Sequence, residues 1–273
     1  MTDKTIFGDM TEEEIRKETG GIKKEQPSFI KNLRINQQDI DKNNNDKVTK
    51  YRGCFVFWDD VTDQFGYFEK AIIRPFMKLQ QFLVYSPQER KYTGESILIK
   101  NGEEAKDTFG GTSCNYVPQA KRNELSDDQK KIAQNVGFYT VIYGTVKLDG
   151  FNSKDEKLSI NSSFQMKFQR KNGAILRDMI QLTKGVLHQN EFHLTTVPSP
   201  TGMGYHLVIG DRVSLDVPAD PKENSDDGRL YTLFQKDVSA HNASVLQKYN
   251  EAVKKKANDK EAVRKVEASW VKK

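Results

Sequence analysis

The stretch GFYTVIYGTVKLDGFNSKDEKLSINSSFQMKFQRKNGAILRDMIQLTKGVLHQNEFHLTTVPSPTGMGYHLVIGDR, residues 137–212, decides the architecture, because its hydrophobic period changes along its length. From Phe138 to Leu148 one face carries Phe138, Thr140, Ile142, Gly144, Val146 and Leu148, and the other Tyr139, Val141, Tyr143, Thr145 and Lys147. Both faces of this strand have apolar surface to bury. The next run sets Leu158, Ile160, Phe164, Met166 and Phe168 against Ser159, Asn161, Ser163, Gln165, Lys167 and Gln169, the alternation of a half-buried antiparallel strand. The period then lengthens. Ile175, Leu176, Met179, Ile180, Leu182 and Thr183 recur at spacings of three and four, and Gly185 stands where a left-handed C-cap belongs, which predicts a short helix over Gly173–Lys184. Two more strands, Glu191–Val197 and Tyr205–Ile209, flank the loop PSPTGMG.

Upstream, SILIK at Ser96–Lys100 reads as a first strand, which completes three strands, a helix and two strands. That is the element order of the OB fold, a Greek-key barrel that often binds oligonucleotides. The expected class is therefore mainly β with a few helices (α+β), an OB-like Greek-key barrel elaborated by an N-terminal β-hairpin region and a C-terminal amphipathic helix. Its hairpin is Tyr51–Trp58 with Tyr67–Ile73, after which Pro75 is expected to stop or edge the pairing. Phe76–Tyr85 suits a helix by spacing at its start and a strand at its end. It reads as a strand, because SPQE resembles a hairpin loop leading to Tyr92. FIKNLRI, at Phe29–Ile35, is apolar enough to dock on the body, and SDDQ at Ser126 opens a short helix over Asp127–Gln134. Leu230–Phe234 reads as one more strand.

These elements divide the chain into a polar N-terminal arm (residues 1–28, with a capping box at Thr11–Glu14), a single β-rich body (29–238) and a basic C-terminal helical segment (239–273). QQDIDKNNNDK is a polar low-complexity loop. The formal net charge is +5, and residues 248–273, with nine basic and four acidic side chains, carry all of it. Such a segment can follow a phosphate backbone or form a solvated helix face. Val245, Leu246, Tyr249, Ala252 and Val253 keep helical spacing there, as do Val263, Val266 and Trp270, so a contact with the body or with a second copy of the chain is expected. No apolar run is long enough to span a membrane and no signal peptide is visible, which points to the cytoplasm. Two cysteines, Cys54 and Cys114, make no disulfide framework and read as free thiols.

Binding of single-stranded nucleic acid needs cations for phosphates and flat side chains for bases. Tyr139, Tyr143 and Lys147 share one strand face, and Lys167 and Lys171 lie on the polar side of the next strand with Arg170 beside them. Those six residues are the candidate nucleic-acid-binding set. The other reading of Tyr139 and Tyr143 is that they are interior aromatics. Metal binding has little support, since His188, His193, His206 and His241 have no Cys pair or carboxylate at ligand spacing, and no cofactor motif is present. GGTSC places Cys114 after a glycine turn, the one arrangement suited to a thiol nucleophile, but with no partner motif the chain reads as a non-enzyme.

PSFIKNLRINQ (Pro27–Gln37), IIRPFMKLQQF (Ile72–Phe82) and YTVIYGTV (Tyr139–Val146), with the later SFQMKFQRKNGAILRDMIQ, resemble segments of tailed-bacteriophage proteins encoded with replication genes. The resemblance covers roughly residues 27–210, and its members look like single-stranded DNA-binding proteins of the OB fold. It implies a protein of the host cytoplasm that coats single-stranded DNA in phage replication or recombination, together with phage replication proteins; the apolar spacing of the last helix allows a homo-oligomer as well. The basic C-terminus departs from the acidic tail of better-known phage binding proteins, so partner recruitment through such a tail is not implied. A virion-associated or assembly protein without nucleic-acid affinity is the alternative.

Overall fold

The computed structural model describes residues 30–37, 51–100, 103–110, 124, 127–181, 183, 186–200 and 204–270, without the side chains of 128, 129, 132, 133 and 260–270. The N-terminal arm, the loop after Gln37, Cys114 and the C-cap expected at Gly185 lie outside these residues. The described elements are mainly β, arranged around the strand whose two faces are both apolar. That strand, β7 (Val136–Asn152), follows the short helix α1 (Asp127–Gln134) and is the seventh after β1 (Lys31–Asn32), β2 (Arg34–Ile35), β3 (Phe55–Asp59), β4 (Gln64–Phe68), β5 (Ala71–Ser86) and β6 (Lys91–Glu95). After it come β8 (Lys157–Gln169), helix α2 (Arg170–Gln181), β9 (Asn190–Pro198), β10 (Tyr205–Ser214) and helix α3 (Ser225–Trp270).

One edge of β7 pairs with β8 and the other with β5, both antiparallel, and β5 pairs in turn with β9 and β9 with β10. Five strands thus lie in the order β8-β7-β5-β9-β10, with α2 linking β8 to β9. The far end of β7 pairs with β4 of the N-terminal hairpin. The described part of FIKNLRI, residues 30–35, docks as expected: β1 pairs with β8 and β2 with β3, and Ile30, Leu33 and Ile35 are buried. Ile142, Val146 and Leu148 of β7 point into one core with Phe55, Phe68, Phe164 and Phe192, closed on the α2 side by Leu176 and Met179.

Four expectations are corrected. The strand beside β7 is β5 and not Ser96–Lys100, which makes only the isolated bridges Gln80↔Ile99 and Ser96↔Asp107. Pro75 does not end β5. It sits at a bulge between Pro75 and Met77, and a bulge accommodates a residue that cannot donate to the ladder. Opposite it, a Cβ on Gly144 would lie 2.3 Å from the Arg74 carbonyl oxygen, so this close approach of two backbones requires glycine. Leu230–Phe234 is helix rather than strand, and the C-terminal helix starts at Ser225, fourteen residues before the expected Ser239. Asn224 caps it: its Oδ1 accepts from the amides of Asp226 at 3.0 Å and Asp227 at 3.3 Å, and the two aspartates favour the positive helix end.

From there α3 lays an apolar stripe across the outer face of β5 and β7. Leu230, Phe234 and Val238 pack against Phe76, Leu79, Val141 and Tyr143. The helix is anchored where it begins by Asp227, only 3% exposed, which accepts from both terminal nitrogens of Arg74 at 2.8 and 2.6 Å. Arg74 Nε donates to the His188 carbonyl at 2.6 Å, so three of its donors are used. Further along, Asn242 exchanges two hydrogen bonds with the Leu98 backbone, at 2.7 and 2.9 Å, and Lys256 reaches the Phe109 carbonyl.

Candidate nucleic-acid interface

The helix α3 decides which of the expected site residues reach solvent. Tyr143 does not: it is 1% exposed beneath α3, its hydroxyl donates to Asp237 at 3.1 Å, and burial foremost, then Asp237, push the phenol far above its ordinary range. Lys167 is half-buried under the same helix, beside His241, and desolvation lowers its pKa. Lys147 stays on the surface, but Glu191 holds its ammonium group at 2.7 Å. The expectation of one open sheet face bearing all of these is corrected, because a segment some ninety residues later in the chain covers the half of β7 that carries Tyr143.

His241 gives this cover a pH dependence. Its ring nitrogen lies 3.0 Å from Gln81 Nε2 and 3.8 Å from a Glu95 oxygen, with Lys167 and Asp237 also facing it. Desolvation is the largest influence and lowers the pKa, while Glu95 opposes it. A histidine whose folded pKa lies below its unfolded one favours the fold when neutral. Stability is therefore expected to be full above about pH 6.5 and to fall as the pH drops toward the lower folded pKa. Urea midpoints from pH 7.5 to 5 test this, and His241→Asn should flatten the slope.

Of the other three expected residues, Tyr139 and Arg170 meet at a cavity of about 700 Å³ where β5, β7 and β8 run out and α2 begins. Tyr139 is 7% exposed on its wall, and its hydroxyl shares a hydrogen bond of 2.7 Å with Tyr92. Burial, and then Tyr92, raise that phenol well above its usual range, so it is neutral. Tyr92 and Tyr85, facing each other across the β5–β6 hairpin, are 54% and 39% exposed and meet edge to face, 5.5 Å apart. Phe138 packs on Phe82 at 5.4 Å on the other side of the sheet, and the Arg177 guanidinium stands 5.8 Å from the Phe138 ring centre. Arg170 is exposed, with φ of 54°, at the junction of β8 and α2, and Lys171 is exposed next to it.

Among the described residues the charge on this wall is uncompensated. No carboxylate is among the described residues that line the cavity, and within those residues neither Arg170 nor Arg177 has an ion-pair partner. Lys78 lies close enough to Arg177 for that charge, after burial, to lower its pKa, and it too lacks an acidic partner among the described residues. Like charges gathered without a counter-ion, beside flat rings, form a place where an anion relieves repulsion.

No protein-family model, curated protein or solved structure matches the chain. The site's chemistry thus rests on its own residues. Reading the sequence missed Tyr85, Tyr92, Phe138, Arg177 and Lys78. The pair of tyrosines around SPQERK was a readable signal, since residues directly opposite each other in a hairpin bring their side chains together. Arg177 was not, because an arginine on the polar side of a short helix has the pattern of ordinary solvation. The four histidines stand on separate elements, and no cluster of three metal-ligating side chains occurs among the described residues.

Proposed function

We propose that the chain binds single-stranded DNA, with phosphates at Arg170 and Arg177 and bases against Tyr92, Tyr85 and Tyr139, in the role of the phage replication-region proteins it resembles. The observation that carries this is the cavity wall on which aromatic rings meet two guanidinium groups that have no carboxylate partner among the described residues. The pairing order β8-β7-β5-β9-β10, with a helix between β8 and β9, supports the OB-like reading of the body, and in such barrels oligonucleotides bind along the strands corresponding to β7 and β8. Relative to the set expected from sequence, Tyr139, Arg170 and Lys171 remain, and Tyr143, Lys147 and Lys167 leave it.

Fluorescence anisotropy with a labelled oligothymidylate tests the proposal. Tyr92→Ala removes an exposed stacking surface and is expected to weaken binding by about 1–3 kcal/mol, roughly 5- to 150-fold. Each of Arg170→Ala and Arg177→Ala should also reduce the slope of log affinity against log salt by about 0.7, the share of one neutralised phosphate on a single strand. Wild-type protein that binds no oligonucleotide at low salt would leave the assembly role as the better account.

A further inference from the structure

Some 40 Å along β7 from Phe138, at about 3.3 Å per residue, lies a second cavity with a different chemistry. It measures about 450 Å³, and Cys54, Ile72 and Leu194 line it together with Tyr51, Tyr67 and Phe151. Tyr51 and Tyr67 stack with ring centres 4.2 Å apart and planes 17° from parallel. Phe151 is 45% exposed. The tyrosine wall is held from behind: the Tyr51 hydroxyl bonds to Asp155, and the Tyr51 carbonyl accepts from Asn36 Nδ2 at 3.0 Å and from the Cys54 amide at 3.2 Å. The Gly53 carbonyl accepts from Thr196 on β9. Rigid aromatic surface kept open to solvent costs hydration and adds little to the core, which is the signature of a ligand site.

The charges around this cavity select what enters. Glu69 and Asp149 balance Lys70 and Lys147, and Lys147 is already engaged by Glu191. A phosphate gains nothing there. A flat, uncharged group with donors and acceptors on its edge gains stacking from the rings, and can donate to a carboxylate and accept from an ammonium group. We infer that this cavity is a second ligand site that takes a nucleobase, stacked on the Tyr67 and Phe151 side, with sugar and phosphate outside. That the occupant is a base, rather than another flat heterocycle, rests on the strand-binding reading above.

Cys54 on the cavity wall reports occupancy. Burial, and then Glu69, push its thiol up, so alkylation by iodoacetamide is followed at about pH 9 in Cys114→Ser protein. Saturating guanosine or cytidine should slow the reaction about fivefold by mass action, and guanosine 5′-monophosphate should do no better. Phe151→Ala, a change at an exposed ring, should remove the protection. Unchanged rates with both nucleosides, protection by the monophosphate alone, or full protection in Phe151→Ala would each overturn the inference. The two readings fail separately. Oligonucleotide binding that depends on Arg170 and Arg177, without protection of Cys54, sinks this site alone. Protection without any oligonucleotide binding sinks strand binding and leaves this cavity as a nucleoside site.

Discussion

Replacing Asp227 with Ala is expected to destabilise the fold by about 3–5 kcal/mol, the cost of leaving a buried charge without its partner. Arg74 would keep its bond to the His188 carbonyl but would lose both carboxylate contacts, at side chains only 15% and 5% exposed. The same pair fastens the first turn of α3 to β5, so the loss should reach the whole layer of Leu230, Phe234 and Val238 above the sheet. Urea denaturation followed by circular dichroism measures the change as a shift of midpoint. Replacing both partners, with Arg74→Met and Asp227→Leu together, should recover most of it, because an apolar pair of similar volume avoids the desolvation cost. A double variant as unstable as Asp227→Ala would show that the ion pair itself, and not the uncompensated charge, carries the effect.

Tyr143→Ala should cost a comparable amount, about 3–5 kcal/mol, since it deletes an aromatic ring that is 1% exposed between β7 and α3. It also leaves Asp237 without the hydroxyl it accepts from at 3.1 Å. Tyr143→Phe separates the two parts and should cost only about 1 kcal/mol, the worth of one hydrogen bond. In both variants the protein that remains folded should bind oligothymidylate as the wild type does. That result divides the two tyrosines which one strand face brings together: Tyr139, four residues earlier, lines the arginine-bearing cavity and Tyr143 does not.

This division marks how far the sequence could be read. The period-two runs around Ile142 and Phe164, the three-and-four spacing of Leu176 and Met179, and the β9–β10 pair are local patterns, and each forms where its own residues place it. The helix over Gly173–Lys184 is displaced to Arg170–Gln181 because the chain turns directly out of β8 at Arg170, whose φ is positive. Which face of β7 stays open is not a local property. Both are apolar, and the cover comes from α3, whose start, with LYTLF at Leu230–Phe234, reads as a strand. Asn224 as cap and Asp226 and Asp227 in the first turn were the helix signal present in that stretch. The candidate interface was half legible for the same reason. Tyr139 and Arg170 belong to the continuous β7–β8 segment, whereas Tyr92 comes from an earlier hairpin that the pairing of β5 with β6 and β7 brings alongside, and Arg177, seven residues along α2 from Arg170, has the pattern of ordinary solvated surface.

Salt-dependent anisotropy of labelled oligothymidylate with wild-type protein and with the Arg170→Ala, Arg177→Ala double variant tests strand binding most directly. The wild type should bind at low salt in preference to duplex, and the double variant should bind more weakly, with a salt slope shallower by about 1.4, two phosphates at about 0.7 each. Equal affinity and equal slope in the two proteins, or equal binding of duplex by the wild type, would contradict the assignment of phosphates to this cavity.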